Sequence, residues 1–303
     1  MRRWGPSPVC SRRRQSLVLV LTLMLFGAVG ACTPSGEPTT DHASGPALSL
    51  EQEPTTRLAV ARDTGTGTGS AIEATVEEMV AQNAIYSYDA LVLLGDLIYP
   101  EGDAEQVPTR ISGVFDALTQ RGARLLPVLG NHDYMSDEQA QIMHRLGRST
   151  SWYTETVGIV RVVVLDTEQV DDPDQLAWLD ETLATPTDAP WTIVAMHKPA
   201  YSAGYHGSDE SIQEEWVPLF ERYAVPLVLA GHDHDYQRSK KINGVTYVVS
   251  GGAATLRPTG RRDFTAVSAS IRHFLDLVVS PTRLTGRAID QNGNLIDSFD
   301  LRR

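Results

Sequence analysis

The sequence predicts an α/β fold, because from about Arg57 onward short β-rich apolar runs alternate with stretches of helical periodicity. The alternation occurs in two similar halves, and one apolar run after another ends at Asp, Asn or His. In open α/β sheets ligands collect beyond the carboxyl ends of the strands, so such endings can converge on one crevice.

The elements follow in order. Residues 58–61 form the first expected strand. Ile72, Val76, Met79 and Val80 share one face of a helix that starts at Ser70, a good N-cap, and ends near Ala84. Residues 90–94 read as a buried strand. Ile111, Val114, Phe115 and Leu118 mark the next helix, Gly122 is placed to end it, and residues 125–129 form the third strand. The second half predicts strand 159–165, helix 174–183, strand 191–195, helix 210–223 and strand 226–230. The tail changes character: residues 246–250, 274–279, 284–289 and 295–301 suggest antiparallel strands, with a hairpin signal at Asn292-Gly293.

Composition bounds the function. With 303 residues, 42% apolar and 21% charged, the chain is neither disordered, fibrous nor a multi-span membrane protein. A net charge of −12 argues against a nucleic-acid-binding surface, since no large face could neutralise a phosphate backbone. Both cysteines, Cys10 and Cys32, precede residue 33, which leaves the body without a disulfide framework or a Cys-type zinc site. Any metal must be held by His, Asp, Asn, Glu or Tyr.

Five arginines before residue 15 precede an apolar run at 17–29, too short for an ordinary membrane span and suited to a signal peptide. The run closes on Val29-Gly30-Ala31-Cys32, which resembles a bacterial lipobox, with cleavage before Cys32 and a lipid on its thiol. The alternative is a generic small-residue cleavage site. Arg13-Arg14-Gln15-Ser16-Leu17 is loosely similar to a twin-arginine export signal, so Sec and twin-arginine export both stay open. The expected product is an exported lipoprotein anchored on the extracytoplasmic side. Residues 1–31 are then the signal, 32–56 a Pro/Thr/Ser-rich flexible tether and 57–303 the folded domain.

The chemistry-bearing residues lie where strands stop: Asp63, then Gly95-Asp96 with Tyr99, then Gly130-Asn131-His132-Asp133, then His197, then Gly231-His232-Asp233-His234. Singly, an Asp after a strand is a turn former, a lone His is a structural residue, and His-x-His is common on ordinary surface strands. Together they are hard to explain structurally, because burying so many polar groups without a metal or partners costs several kcal/mol per group.

The ordered set Asp63-Thr64-Gly65, Gly95-Asp96-x-x-Tyr99, Gly130-Asn131-His132-Asp133, Met196-His197 and Gly231-His232-x-His234 resembles the calcineurin-like metallophosphoesterases, and the Tyr99 spacing is similar to the purple acid phosphatase branch. The resemblance implies a four-layer α/β/β/α sandwich of two mixed sheets flanked by helices, with a dinuclear metal site at the sheet ends. It implies Asp63, Asp96, Tyr99 and His234 for the first ion, and Asp96, Asn131, His197 and His232 for the second. It makes His132 the acid that protonates the leaving group, or a residue that orients the phosphate, with Asp133 as its orienter, and places Asn131 and His206 against substrate. For His206 the alternative is an exposed loop residue. Oxygen and imidazole donors suit Fe, Mn or Zn. A phenol, which ionises only near pH ~10 in water, binds a metal well only once deprotonated, which favours Fe(III) at Tyr99 with Fe, Zn or Mn beside it.

The expected activity is hydrolysis of small phosphate esters, most of all phosphomonoesters, by direct in-line attack of a metal-activated hydroxide. Phosphodiesterase or nucleotidase activity on the same centre is the alternative, and a non-catalytic surface lipoprotein is a third. One departure stands out: the family usually has Gly before the first Asp, where this chain has Arg62. Its side chain is expected on the opposite strand face from Asp63, which would leave the site undisturbed and Arg62 to find a partner or solvent; the alternative is that the backbone there passes close to something and the first metal site is weakened. The run Gly65-Thr66-Gly67-Thr68-Gly69 lacks the Lys of a P-loop and the spacing of a dinucleotide fingerprint, so it is not read as a phosphate cradle.

Overall fold

The computed structural model describes residues 55–62 and 70–303. The expected signal, the tether up to residue 54, Cys32, Asp63 and the 65–69 glycine run lie outside the described residues.

Two sheets form the centre. The first has the order β13-β12-β11-β1-β2-β3 and the second β10-β8-β9-β7-β6-β5-β4. In the first, β1 (Thr56–Ala61), β2 (Ala90–Leu94) and β3 (Arg124–Val128) run parallel, while β11 (His273–Val279), β12 (Arg283–Asp290) and β13 (Leu295–Arg302) are antiparallel. In the second, β5 (Val160–Val164), β6 (Trp191–Ala195), β7 (Leu227–Ala230) and β9 (Thr246–Ser250) are parallel. The second sheet is completed by β4 (Tyr153–Val157), β8 (Tyr236–Ser239) and β10 (Thr265–Ala269), each antiparallel to its neighbours.

The pleat explains the layering. Successive strand side chains point to opposite faces, and both faces here are covered, so the strands read as continuous apolar runs. Leu58 and Val60 of β1, with Val92 and Leu94 of β2, enter the core between the sheets, where they meet Val162, Val164, Ile193 and Leu229. Ala59, Ala61, Leu91 and Leu93 face the other way, onto Ile72, Val76 and Met79 of α1 (Ser70–Ile85). On the far side Val163, Leu165, Val194 and Met196 pack against Leu179 and Leu183 of α4 (Pro173–Ala184) and Phe220 of α6 (Val217–Arg222). The result is the α/β/β/α sandwich. Trp191, 1% exposed, ties the layers by donating its indole N–H to the Ser280 carbonyl at 2.7 Å.

Several expectations need correction. The helix expected around 111–118 is a π-type turn at Pro108–Ser112 and a separate α2 (Asp116–Thr119), broken at Gly113. The helix expected at 210–223 is α5 (Glu210–Glu215) and α6, because Pro218 has no N–H to donate back to residue 214. The 246–250 strand lies parallel to β7, since β8 first returns along the sheet. Strands β4, β8 and β10, and α3 (Gln139–Arg145), have no counterpart among the expected elements; the three strands carry polar residues in place of an apolar run. The β4–β5 hairpin turns through Gly158 at φ 53°, in the left-handed region that favours glycine.

Candidate metal centre

The strand ends deliver the site. β2 runs into Gly95 and Asp96, which turn with φ of 86° and 51°, and β3 runs into Gly130 and Asn131. From the second sheet, β6 runs into His197 and β7 into Gly231 and His232. The loops approach closely: a Cβ on Gly95 would lie 2.3 Å from His197 Nδ1, and one on Gly130 would lie 2.4 Å from Asp96 Oδ1. Glycine at these two positions lets the groups from opposite sheets meet.

Four donors converge there. His197 Nε2 lies 3.1 Å from Asn131 Oδ1, 3.4 Å from Asp96 Oδ1 and 3.2 Å from His232 Nδ1. Ligand atoms bound to one ion at roughly 2.0–2.2 Å sit about 3 to 3.4 Å apart, so this donor set fits one metal ion. Asp96, His197 and His232 also form the three-residue group with metal-ligand geometry among the described residues. The His197 ring is fixed from behind, because its Nδ1 lies 2.9 Å from the Leu94 carbonyl. An N–H there makes Nε2 the free, metal-facing nitrogen.

Electrostatics keep these rings neutral. Burial, with Arg62 as a nearby cation, pushes His197 down to about 4 and His234 to about 3; burial and the adjacent His197 push His232 to about 2. Burial works against the Asp96 charge, but His197, which becomes cationic in the acid range where Asp96 would titrate, and Arg62, with hydrogen bonds from the Tyr99 hydroxyl and the His132 N–H, hold its carboxyl well below the usual range.

Tyr99 donates to Asp96 Oδ2 at 2.7 Å, and its ring lies 4.3 Å from that of His132. His234 is 6% exposed at the same segment. His232 has φ 64°, so His232 and His234 do not share an extended strand as a simple His-x-His reading would have them. His206 comes to the site: its ring centroid is 4.1 Å from that of His232, and its N–H donates to Asp233 Oδ1 at 2.7 Å. Asp233 is fully buried and also accepts the Ser202 hydroxyl, so it holds the 202–206 loop beside the centre. Sequence reasoning misses this anchor, because a lone Asp between two histidines carries no signal of what it accepts.

Asp133 departs from expectation. Its buried carboxylate accepts N–H groups from Leu97 at 3.0 Å, Ile98 at 2.9 Å and Gly130 at 2.8 Å, and so staples the Asp96 loop to the Asn131 loop. Burial and the Asp96 charge push it up to about 7. The His132 ring is oriented instead by the Pro100 carbonyl, 2.7 Å from Nδ1. Arg62 departs as well: its guanidinium points into the site and donates to Asp96 Oδ2, to the Tyr99 hydroxyl and to the His232 carbonyl.

Residues 57–236 match the family described as calcineurin-like phosphoesterase. An uncharacterized protein of Mycobacterium tuberculosis is 32% identical over 184 residues, covering 50% of this chain and 34% of that protein. Human tartrate-resistant acid phosphatase type 5 is 28% identical over 222 residues, covering 62% of this chain and 68% of the phosphatase. Among solved structures, a purple acid phosphatase from yellow lupin seeds superposes with a TM-score of 0.68 at 19% identity, covering 83% of this chain and 54% of the lupin chain. The chain thus spans 34% of the mycobacterial relative and only part of the lupin protein.

Proposed function

The chain belongs to the calcineurin-like phosphoesterase family, and from that membership and its purple acid phosphatase-like fold we propose that it hydrolyses phosphomonoesters at a dinuclear metal centre. The observation that carries the reading is the convergence of Asp96, Asn131, His197 and His232 on one point, with His132 and His206 at its rim. When bound, the ions would supply a nucleophile from water and counter-charge for the phosphate oxygens.

The side chains do the rest. The Asn131 amide and the His206 ring flank the place a phosphate would take, and Asp233 holds His206 there through its backbone N–H. His132 carries the proton for the leaving group. As the oxygen of a water that has given up one proton to solvent bonds to phosphorus and the ester P–O bond breaks, the departing alkoxide would take a proton from Nε2, which solvent restores after the product leaves, while the Pro100 carbonyl holds the ring through Nδ1. Tyr99 and Asp96 Oδ2 would take Fe(III), a Lewis acid strong enough to deprotonate a phenol, with Fe, Zn or Mn at the four-donor position.

Metal content and an absorbance spectrum of the purified protein, with turnover of a phosphomonoester and a phosphodiester before and after chelation, test this reading. Two metals including iron, a visible band lost in Tyr99→Phe and chelator-sensitive monoester turnover are expected. Preference for the diester would move the activity to the alternative, and folded protein that takes up no metal would overturn the enzyme reading. The lipobox-like Val29–Cys32 stretch supports export and anchoring through a lipid on Cys32. On that reading the full chain enters the detergent phase on phase partitioning and Cys32→Ala stays in the aqueous phase; equal behaviour refutes it.

A further inference from the structure

We propose that Arg257 is the cation of a second anion-binding position at the rim of the centre, and that the favoured substrates are phosphomonoesters whose leaving group carries a second phosphate. The inference rests on the phosphomonoesterase reading above and adds to it the class of ester.

A line of rings leads outward to this side chain. The His206 ring lies 4.1 Å from the His232 ring, centroid to centroid, and meets the Tyr205 ring edge-to-face at 5.0 Å. The Arg257 guanidinium sits over the Tyr205 ring, 4.5 Å from its centroid. Tyr205 is 68% exposed, so it adds little to the core and instead serves as a platform that carries Arg257 beside His206. A cation–π contact draws on the charge of the guanidinium and leaves N–H donors to spare.

The backbone under Arg257 is held from two directions. Its N–H donates to the His234 carbonyl at 2.9 Å, and its carbonyl accepts the Ser270 hydroxyl at 2.8 Å. The Arg272 guanidinium donates to the Ala254 carbonyl at 2.7 Å, and the Gly260 N–H donates to the Ala203 carbonyl at 3.0 Å. The segment bearing Arg257 is thus tied to the segment bearing Tyr205 and His206. A charge on a held segment binds an anion at a smaller ordering cost than one on a loose loop.

Arg257 differs from other arginines of the fold in having no acid to meet. Arg57, Arg238 and Arg283 each pair with an aspartate. The Arg257 guanidinium makes no hydrogen bond or ion pair with any described residue, in a chain with 38 Asp and Glu against 26 Lys and Arg. Burial lowers the pKa of His206, Asp233 opposes this, and the Arg257 charge adds to the lowering, so that charge is felt at the rim of the centre. On a protein of net charge −12, an uncompensated cation beside a phosphate site gathers a further anion where the rest of the surface repels it. Phosphate suits the guanidinium, because two of its oxygens match two N–H groups of the fork. The ester to be cleaved would lie at the centre, with its second phosphate reaching past His206 to Arg257.

The test pairs ligands that cannot turn over with substrates that can. Alkane α,ω-bisphosphonates of roughly three to six carbons, titrated by calorimetry into the metal-loaded full-length protein, should bind about tenfold or more tighter than alkylphosphonates of the same length, at the spacer that reaches Arg257. For the matching alkanediol bisphosphate, kcat/KM should exceed that of the alkyl monophosphate by a similar factor, through KM. Arg257→Gln should bring both ratios down to the factor of about two that two equivalent ends give by statistics. Arg257→Lys should keep part of each, since the charge stays while the fork is lost, and added salt should shrink the wild-type ratios. If Arg257 serves only to hold the Tyr205 loop, Arg257→Gln weakens mono- and bisphosphonates alike; ratios equal to those of the wild type, with both esters turned over, would overturn the second position and leave the phosphatase standing. Tighter bisphosphonate binding that Arg257→Gln abolishes, on a protein that turns over neither ester, would establish the position and overturn the phosphatase reading instead. Arg257→Lys and the salt dependence decide the matter even if Arg257→Gln does not fold.

Discussion

His132 sits with Nδ1 against the Pro100 carbonyl and its ring beside Tyr99, outside the donor cluster that fits an ion. Removing it should therefore cost proton delivery and leave metal uptake alone. His132→Asn is expected to lower kcat by about 10²- to 10⁴-fold with metal content unchanged, and by much less for an aryl phosphate whose phenolate leaves without a proton. Elemental analysis and a leaving-group series check this; a uniform loss across leaving groups would show that His132 binds phosphate rather than donating a proton. The residue types at this scale are legible in the sequence, because Asp96, Asn131, His197 and His232 stand at strand ends in a recognisable order. What each side chain faces is not. A backbone carbonyl such as that of Pro100 has no sequence signature, and Asp133 next to His132 in the chain turns away to three N–H groups. Arg62 escapes sequence reasoning for a similar reason: strand alternation assigns it a face, but β1 ends at Ala61, so the rule no longer holds one residue further on.

At the scale of elements, the first sheet is stitched by a buried ionic group. Arg57 of β1 donates to Asp276 of β11 at 2.9 and 3.1 Å, Arg287 of β12 joins from the next strand, and the Arg57 guanidinium lies 4.2 Å from the centre of the Tyr88 ring. Arg57 and Asp276 are 2% and 0% exposed, so cutting one partner leaves a buried charge uncompensated. Asp276→Ala should lower unfolding stability by about 3–5 kcal/mol, and Asp276→Asn by less because a hydrogen bond survives. Denaturant unfolding of the metal-free proteins measures both, and a neutral Asp276→Ala would mean that the network only sets register. Elements are readable where apolar runs are long, as in β2, β6 and α4, and unreadable where pairing rather than burial defines the strand. Thr154, Glu155 and Thr156 of β4 are stabilised by the ladder to β5, which no local pattern announces.

Across the whole molecule, the four converging donors come in equal parts from the two sheets: Asp96 and Asn131 follow β2 and β3, His197 and His232 follow β6 and β7. An ion bound by all four would clamp one sheet to the other. Chelation should therefore lower the denaturation midpoint, and metal at a thousandfold over its Kd should restore about 4 kcal/mol. If chelated and metal-loaded protein unfold at the same denaturant concentration, the donors do not bind across the sandwich. A further tie joins the sheets near one border, where Asp297 on the outermost strand β13 accepts from Tyr236 at 2.7 Å and from Arg238 at 2.7 Å on β8, the strand next to the outermost β10. That ion pair makes the rim of the sandwich selective about company. A strand from another chain that tried to extend β13 would have to strip the remaining water from a charged group already committed to β8, so this border is guarded against fibrous self-association by a contact whose first duty is cohesion.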